Sequence, residues 1–384
     1  MSQSEPASAS AFFARLRRWA RRLILAGAGL VAAGLLARLA FFTGPHLPPE
    51  LLPDTPIVDL HCHVAGLGFG GSGCFVSPAL RDNWRFDFYL RAFGVTRAEV
   101  EREGDALLPV RVAAAVGQSR YVKQAVILAL DGAVDAAGQL DTNRTEFYVP
   151  NEFVAAACRQ HMNLLFGASV NPYRADALAR LEWAAAHGAV LVKWLPSIQL
   201  IDPADPKLEP FYRRLIELRL PLLTHTGAEK SFTHSADEFA DPERLELPLK
   251  LGVTVIAAHV ATTGEHAGER DIDRLARLMS AYTNLLADIS SLTQLNKLGY
   301  LGEVLGRPEF RGRLLYGSDF PLINLPLVSP WYFPLNLRLG EMRRLADLPN
   351  PWDRDVELKR ALGVPAEIFA RSAVLLSARR PDAR

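Results

Sequence analysis

Two histidines separated by one residue end an apolar segment near the start of the chain, IVDLHCHV at 57–64. The segment is typical of a buried β-strand, in which alternate side chains point to the same face. His61 and His63 would then share a face with Asp59, and Cys62 would point the other way. Two imidazoles on one face of a buried strand need polar partners, and a divalent metal ion can bind both. A strand end with two solvated histidines is the alternative.

Four more polar residues stand at the ends of apolar segments: Lys193, His225, His259 and Asp319. Each has an ordinary structural explanation when taken alone, such as a helix cap or a lysine that reaches solvent. In a parallel barrel, however, strand ends adjoin at one face, so all of these side chains would converge with His61 and His63. Imidazoles and a carboxylate suit zinc or a similar divalent ion, with a position open for water. We therefore predict a metal site.

The chemistry expected of such a site is hydrolysis of a small molecule. A divalent metal lowers the pKa of its water toward ~7, and a carboxylate beside that water can take its proton. We expect water to attack a carbonyl-type centre, with the metal and His259 stabilising the developing oxyanion. His234 and His266 lie on loops past strand ends and could reach a substrate, although surface histidines are commoner.

Eight short apolar segments alternate with helical stretches, a pattern that indicates βαβ units on a parallel sheet. Eight such units predict an α/β fold, a (β/α)8 TIM barrel, which takes ~250 residues before insertions. The extra length falls at 65–118 and 321–350. The predicted strands are 56–62, 123–130, 163–170, 189–195, 221–226, 253–259, 284–290 and 313–319.

An arginine-rich stretch, RLRRWARR at 15–22, precedes an apolar run at 23–42 whose only charge is Arg38. About 20 apolar residues span a bilayer as a helix, and basic flanks favour the cytoplasmic side. A cleaved signal peptide is the alternative, but no clear small-x-small cleavage site follows the run. We predict a cytoplasmic basic segment at 1–22, an uncleaved transmembrane anchor at 23–42, a proline-rich linker at 43–54, and the barrel at 55–384 on the non-cytoplasmic side.

Composition limits the classes of partner. A net charge of +1 in 384 residues does not indicate the basic surface that binds nucleic acid. The three cysteines do not form a disulfide framework, so they do not indicate a redox compartment. The expected partners are a small-molecule substrate and, through the N-terminal helix, the membrane. The oligomeric state is not indicated.

Three motifs resemble the amidohydrolase superfamily, in the amidohydrolase-related branch that includes carboxymuconate-semialdehyde decarboxylase-like enzymes. They are VDLHCH at 58–63, VKWLPSIQLIDPADPKLEPFY followed by LPLLTHTG at 192–227, and LLYGSDFP at 314–321. The resemblance covers roughly residues 55–380. It implies that His61, His63, His225 and Asp319 are metal ligands, that Asp319 is also the general base, and that His259 is a second-metal ligand or a catalytic residue. Ser372 stands where relatives usually carry asparagine.

Lys193 leaves the number of metals open. An ammonium has no lone pair, so it cannot bind a cation directly. Lys193 could be a metal ligand as a carbamate bridging two metals, as in binuclear members of the superfamily; it could bind an anion; or it could be structural. The branch resemblance implies a single metal, so we expect one tightly bound divalent ion, zinc, with a second site weak or empty. Non-oxidative decarboxylation on the same site is the alternative reaction.

Overall fold

The computed structural model of the chain describes residues 7–41, 52, 56–83, 85–229 and 231–377. Eight parallel strands pair side by side in chain order. Backbone bonds join the edge strands: the His63 N–H donates to the Phe320 carbonyl, and the Asp319 N–H donates to the His61 carbonyl, both at 2.8 Å. The predicted TIM barrel is confirmed. Its strands are β1 (Ile57–His63), β2 (Val122–Leu128), β3 (Leu164–Ala168), β4 (Ala189–Trp194), β5 (Leu222–His225), β6 (Val255–Ala258), β7 (Leu285–Asp288) and β8 (Leu314–Leu315).

Helices surround the barrel and turn their apolar sides toward the strands. The helix that follows β4 illustrates the pattern, because Phe211, Tyr212 and Leu215 are buried while Arg213 pairs with Glu209 at the surface. The helices are α1 (Ala7–Phe41), α2 (Arg85–Ala92), α3 (Arg97–Glu103), α4 (Leu107–Gly117), α5 (Asn151–Gln160), α6 (Ala177–Ala186), α7 (Glu209–Glu217), α8 (Glu246–Leu251), α9 (Asp271–Ala281), α10 (Tyr300–Gly306), α11 (Leu339–Ala346), α12 (Pro351–Ala361) and α13 (Ala366–Ser377), with one-turn helices at Pro78–Arg81 and Pro196–Gln199.

The strands carry apolar residues on both faces because both faces are buried. Leu223 and Ile256 belong to the layer that fills the barrel, whereas their neighbours Leu222 and Val255 pack outward with the helices. This filled interior closes the barrel below its open end. Polar side chains at the strand ends are therefore held by a rigid, packed support.

The two predicted insertions form structures of their own. Residues 64–121 contain a glycine-rich loop that is fastened by Asp105, whose carboxylate accepts the backbone N–H of Leu67 at 2.9 Å and of Gly68 at 2.8 Å. The segment after β8 leads into α11 around a separate apolar cluster: Val328, Phe333, Leu337, Met342, Leu345 and Leu358.

The N-terminal helix is long and apolar enough to cross a membrane over Phe13–Arg38, with a mean hydropathy of 1.6 and none of its window buried. It begins earlier than the predicted span, so the arginines at 15–22 are helical. A signal sequence near the N-terminus would have the same properties. Apart from residue 52, the predicted linker at 43–54 lies outside the described residues, and the four-part division of the chain stays a prediction.

Candidate functional site

The six predicted site residues meet at one end of the barrel and line a single cavity of about 210 Å³. Five strands of the barrel bring them there. His61 and His63 end β1, Lys193 is the next-to-last residue of β4, His225 is the last residue of β5, His259 follows β6 directly, and Asp319 stands shortly after β8.

An extra residue in β1 aims its histidines at the cavity. Asp59 pairs with Ala125 and Cys62 pairs with Ile127, so three steps on β1 oppose two on β2. Asp59 consequently points away from the cavity, and its Oδ2 accepts the indole N–H of Trp352 at 2.8 Å. The expectation that it shares a face with the histidines is wrong, because the bulge breaks the alternation on which it depended.

One group of possible metal-ligand atoms is formed by His61, His63 and Asp319, and these atoms all lie within 4.8 Å of one another. Asp319 Oδ1 lies 3.2 Å from His63 Nε2 and 3.7 Å from His61 Nε2. Gly317 allows the segment after β8 to pack closely against His61, since a Cβ at position 317 would lie 2.9 Å from the Cβ of His61.

Asp288, at the end of β7, orients the His61 ring from the side that faces away from the cavity. His61 Nδ1 donates to Asp288 Oδ2 at 2.8 Å, which leaves the lone pair of Nε2 toward the cavity. The other oxygen accepts the backbone N–H groups of His259 and Ser290, each at 3.0 Å. Burial raises the pKa of Asp288, but the neighbouring His61 ring outweighs burial and holds that pKa well below its usual range. The carboxylate is therefore ionised.

The same hydrogen bonds determine which nitrogen of His259 faces the cavity. The Ser290 hydroxyl has a single proton and donates it to Asp288, so its oxygen accepts from His259 Nδ1 at 2.8 Å. The Nε2 of His259 then carries a lone pair, 3.9 Å from Asp319 Oδ2. A neutral His259 in this tautomer cannot donate to an oxyanion, so the geometry suits it to metal binding or proton acceptance.

His225 stands against His259, with ring centroids 5.2 Å apart. Its Nε2 is buried and has no hydrogen-bond partner among the described residues, and a carboxylate oxygen of Glu229 lies 3.7 Å away. A buried nitrogen without a partner is costly. A cation in the cavity would use this lone pair, and the site fits a metal in this respect.

Lys193 is buried, and its Nζ lies 3.0 Å from His61 Nε2. Burial lowers the pKa of Lys193 to about 8, although Asp288 and Asp319 oppose the shift. The amine therefore lies beside the group formed by His61, His63 and Asp319. From this position Lys193 could either bridge two metals as a carbamate or bind an anion as a cation.

The protonation states of the histidines and the aspartate that line the cavity suit metal binding. Burial lowers the pKa of His61 to about 4 and also lowers the pKa of His225 and His259, so these imidazoles are neutral near pH 7. Burial raises the pKa of Asp319, but His259 and His63 outweigh it and hold that pKa well below the usual range. Neutral imidazoles and an ionised carboxylate are the protonation states that bind metals.

Two residues of the site depart from ordinary backbone geometry. The φ angles are +57° at His259 and +63° at Asp319, in the left-handed region that residues other than glycine rarely adopt. Such conformations cost on the order of 1 kcal/mol each and cluster at functional sites. Both residues lie just beyond a strand end, where the chain must turn sharply to keep the side chain in the cavity.

Several residues of the site were not predicted from the sequence. Asp288 ends an apolar strand as the predicted residues do, and Glu229 comes four residues after His225. Both could therefore have been predicted from their positions at or just after a strand end. Ser291 donates its hydroxyl to Asp319 and itself accepts from Gln294 at 2.8 Å, contacts that no spacing indicates. His234 and His266 do not line the cavity, and His266 is held by Asp271 at 2.6 Å.

The cavity walls above the polar floor are largely apolar, with Leu80, Phe86, Leu90, Phe93, Phe147 and Phe232 among them. Gln294, Asn296 and the buried Lys297 add polar groups from the loop after β7. Among the described lining residues, the cations other than histidine are lysines, and none is an arginine. The cavity therefore suits a small molecule with an apolar body.

Comparisons with known proteins agree with this architecture. A sequence model described as amidohydrolase matches residues 58–337. A TIM-barrel protein of unknown function from Bordetella bronchiseptica superimposes with a TM-score of 0.52 at 17% identity, covering 84% of this chain and 99% of its own. This likeness supports the fold. A search of curated proteins found no match.

Two other solved structures align less closely. A 5-carboxyvanillate decarboxylase from Novosphingobium aromaticivorans, solved with manganese and a nitrobenzoic acid, has a TM-score of 0.40 at 14% identity, covering 82% of this chain and 96% of its own. A 4-oxalomesaconate hydratase from Rhodopseudomonas palustris has a TM-score of 0.42 at 14% identity, covering 84% and 98%.

Proposed function

The chain belongs to the amidohydrolase family, and we propose that it is a membrane-anchored, metal-dependent hydrolase of a small molecule with a carbonyl-type group. One observation carries the proposal: neutral imidazoles and an ionised carboxylate from four strands face one another across a small cavity. Lone pairs and a carboxylate that face each other repel unless a cation lies between them. The buried Nε2 of His225, which has no hydrogen-bond partner in the described part of the chain, supports the same conclusion.

We propose His61, His63, His225 and Asp319 as the ligands of one divalent ion, with zinc as the expected metal. When bound, such an ion polarises a carbonyl oxygen and makes a nearby water more acidic. Lys193 would join the ligands only as a carbamate. Asp288 would hold the His61 ring in the tautomer that the metal requires.

The residues of the chain would move the protons. Asp319 would accept the proton of the attacking water at a carboxylate oxygen, and the Ser291 hydroxyl would keep that carboxylate oriented. His259 is the second catalytic residue in this proposal: its Nε2 lone pair would accept a proton and return it to the leaving group. This assignment replaces the predicted oxyanion role, because the tautomer fixed by Ser290 has no proton at that nitrogen.

Non-oxidative decarboxylation is the second candidate, and Lys297 is the observation in its favour. This buried lysine lies in the cavity wall, where it could hold a substrate carboxylate. A panel of esters, amides, lactones and carboxylic acids, tested on the full-length chain in nanodiscs and scored for both hydrolysis and CO2 release, separates the two. Hydrolysis without CO2 release supports the first proposal, and CO2 release without hydrolysis contradicts it.

Asp288→Asn is expected to weaken zinc binding about 10–100-fold, because His61 would lose the ionised partner that orients its ring. The dissociation constant is measured by competition with a chromophoric chelator. Asp87→Asn, a change at an exposed carboxylate on α2, serves as the matched control and should leave the constant unchanged. An unaltered constant for Asp288→Asn would remove this residue from the metal site.

A reporter that is active only outside the cytoplasm, fused after residue 384, is expected to give signal. The arginines at 15–22 would hold the start of the helix in the cytoplasm. Exchanging Arg15, Arg17, Arg18, Arg21 and Arg22 for glutamate should reduce the signal. Activity only from a cytoplasmic reporter would overturn the orientation, and a shortened membrane-free chain would show that the helix is a cleaved signal peptide.

A further inference from the structure

The barrel end that carries the cavity also exposes an unusual amount of apolar surface. Outside α1, about half of the exposed large apolar residues of the described chain lie on the loops after β7 and after β8 or at the start of α11, which follows the second loop. We call them the apolar patch: Leu295, Leu298, Leu327, Trp331, Leu335 and Leu339, which are 39 to 53% exposed. The others, such as Val110, Leu178 and Ile216, lie singly on different helices. Clustered apolar exposure marks an interaction surface, whereas single residues do not.

The two loops form one surface. The Leu295 N–H donates to the Leu327 carbonyl at 2.9 Å, and Gln294 pairs with Val328 as an antiparallel bridge. The buried side of the second loop, including Val328, Phe333 and Leu337, packs into its own apolar cluster. The exposed side chains are therefore held outward by a fixed backbone.

The loop after β8 has the composition of a membrane-interface segment. Between Asp319 and Arg338 the sequence contains no charged residue and no histidine. It contains Trp331 and Tyr332, and aromatic residues of these two types are enriched where a bilayer meets water. A surface made only to contact water would carry charges at this length.

The candidate span ends beside this patch. The Arg38 guanidinium donates to the Leu337 carbonyl at 3.1 Å, so the end of α1 touches the loop that carries Trp331 and Leu335 and leads to Leu339. The helical apolar run continues to Phe41, three residues past Arg38, which is roughly 4.5 Å along a helix axis. If this run spans the bilayer, the Leu337 carbonyl lies near the membrane boundary. Interfacial apolar surfaces insert about 5–10 Å at that boundary.

We infer that the apolar patch rests in the lipid bilayer next to the anchor. The inference rests on the anchored arrangement proposed above and goes beyond it, since an anchor alone does not orient the barrel. The cavity is oriented with the patch, because Gln294, Asn296, Lys297, Pro321 and Leu322 line it from the same two loops. Its rim lies at the lipid surface, where substrates that partition into the bilayer are concentrated.

The test places an environment-sensitive fluorophore on the patch of the full-length chain. Leu335→Cys carries the label, and Leu178→Cys, an exposed leucine on α6, is the matched control. Both variants carry Cys158→Ser, because the other cysteines are buried. The protein is reconstituted into phosphatidylcholine and phosphatidylglycerol vesicles with and without doxyl-labelled phosphatidylcholine as a quencher within the lipid.

The label at position 335 is expected to emit at shorter wavelength and to be quenched several-fold more strongly by doxyl lipid than the label at 178. Equal quenching at both positions in protein that resists carbonate extraction would overturn the inference while leaving the anchor intact. Release of the chain by carbonate would overturn both. A spectral shift at 335 without lipid quenching, growing with protein density, would show that a second copy covers the patch and would also overturn the inference.

Discussion

Asp319→Asn is expected to lower turnover by about 10³-fold or more while the barrel stays folded. Asparagine keeps the shape of the side chain but removes the negative charge and the proton acceptor, and a positioned general base alone contributes typically ~10²–10⁴-fold. His61→Ala and His63→Ala should lose activity similarly, because they remove members of the ligand group that contains Asp319. The fold should survive, since the packed interior and helix layer lie below the site.

The measurement is turnover of the best substrate from the panel, with circular dichroism and a thermal melt for each variant. His234→Ala changes an exposed histidine that does not line the cavity and should behave as wild type. Full activity in Asp319→Asn would contradict the proposed chemistry. A chain that unfolds when the metal is removed would indicate a structural site instead.

One equivalent of zinc per chain is expected to restore full activity after chelation has reduced it to background. His61, His63 and Asp319 already form a compact group without Lys193, so one metal does not require a modified lysine. In the two-metal alternative, a carbamate on Lys193 would bridge the metals, and His225 and His259 would hold the second one. The lowered pKa of Lys193, caused first by burial, makes that amine more available to CO2. Bicarbonate is therefore the variable that must be controlled.

Metal content after dialysis, with and without bicarbonate, decides between the alternatives. We expect one metal per chain for the wild type, and one for Lys193→Ala. Lys297→Ala removes another buried lysine from the same cavity and controls for the loss of a positive charge. Two metals per chain in bicarbonate, falling to one or none in Lys193→Ala but not in Lys297→Ala, would establish the bridging carbamate and refute the single-metal prediction.

The sequence alone determined the barrel and the strand ends that line the cavity. Each strand is a short apolar segment with its own boundaries, so eight of them could be recognised locally, and a parallel barrel brings their ends together by its topology. His61, His63, His225, His259 and Asp319 each followed such a segment. Their convergence in one cavity could therefore be predicted without any knowledge of side-chain positions.

Tertiary structure alone decided how these side chains are aimed and what surrounds them. Asp59 turned away because an extra residue in β1 breaks the alternation, and a bulge depends on pairing with a neighbouring strand. The tautomers of His61 and His259 depend on Asp288 and Ser290, more than 25 residues from either histidine. The apolar patch likewise requires two loops to meet beside Arg38. Contacts between distant segments leave no local pattern in a sequence, because burial and hydrogen bonding are settled only when the chain has closed on itself.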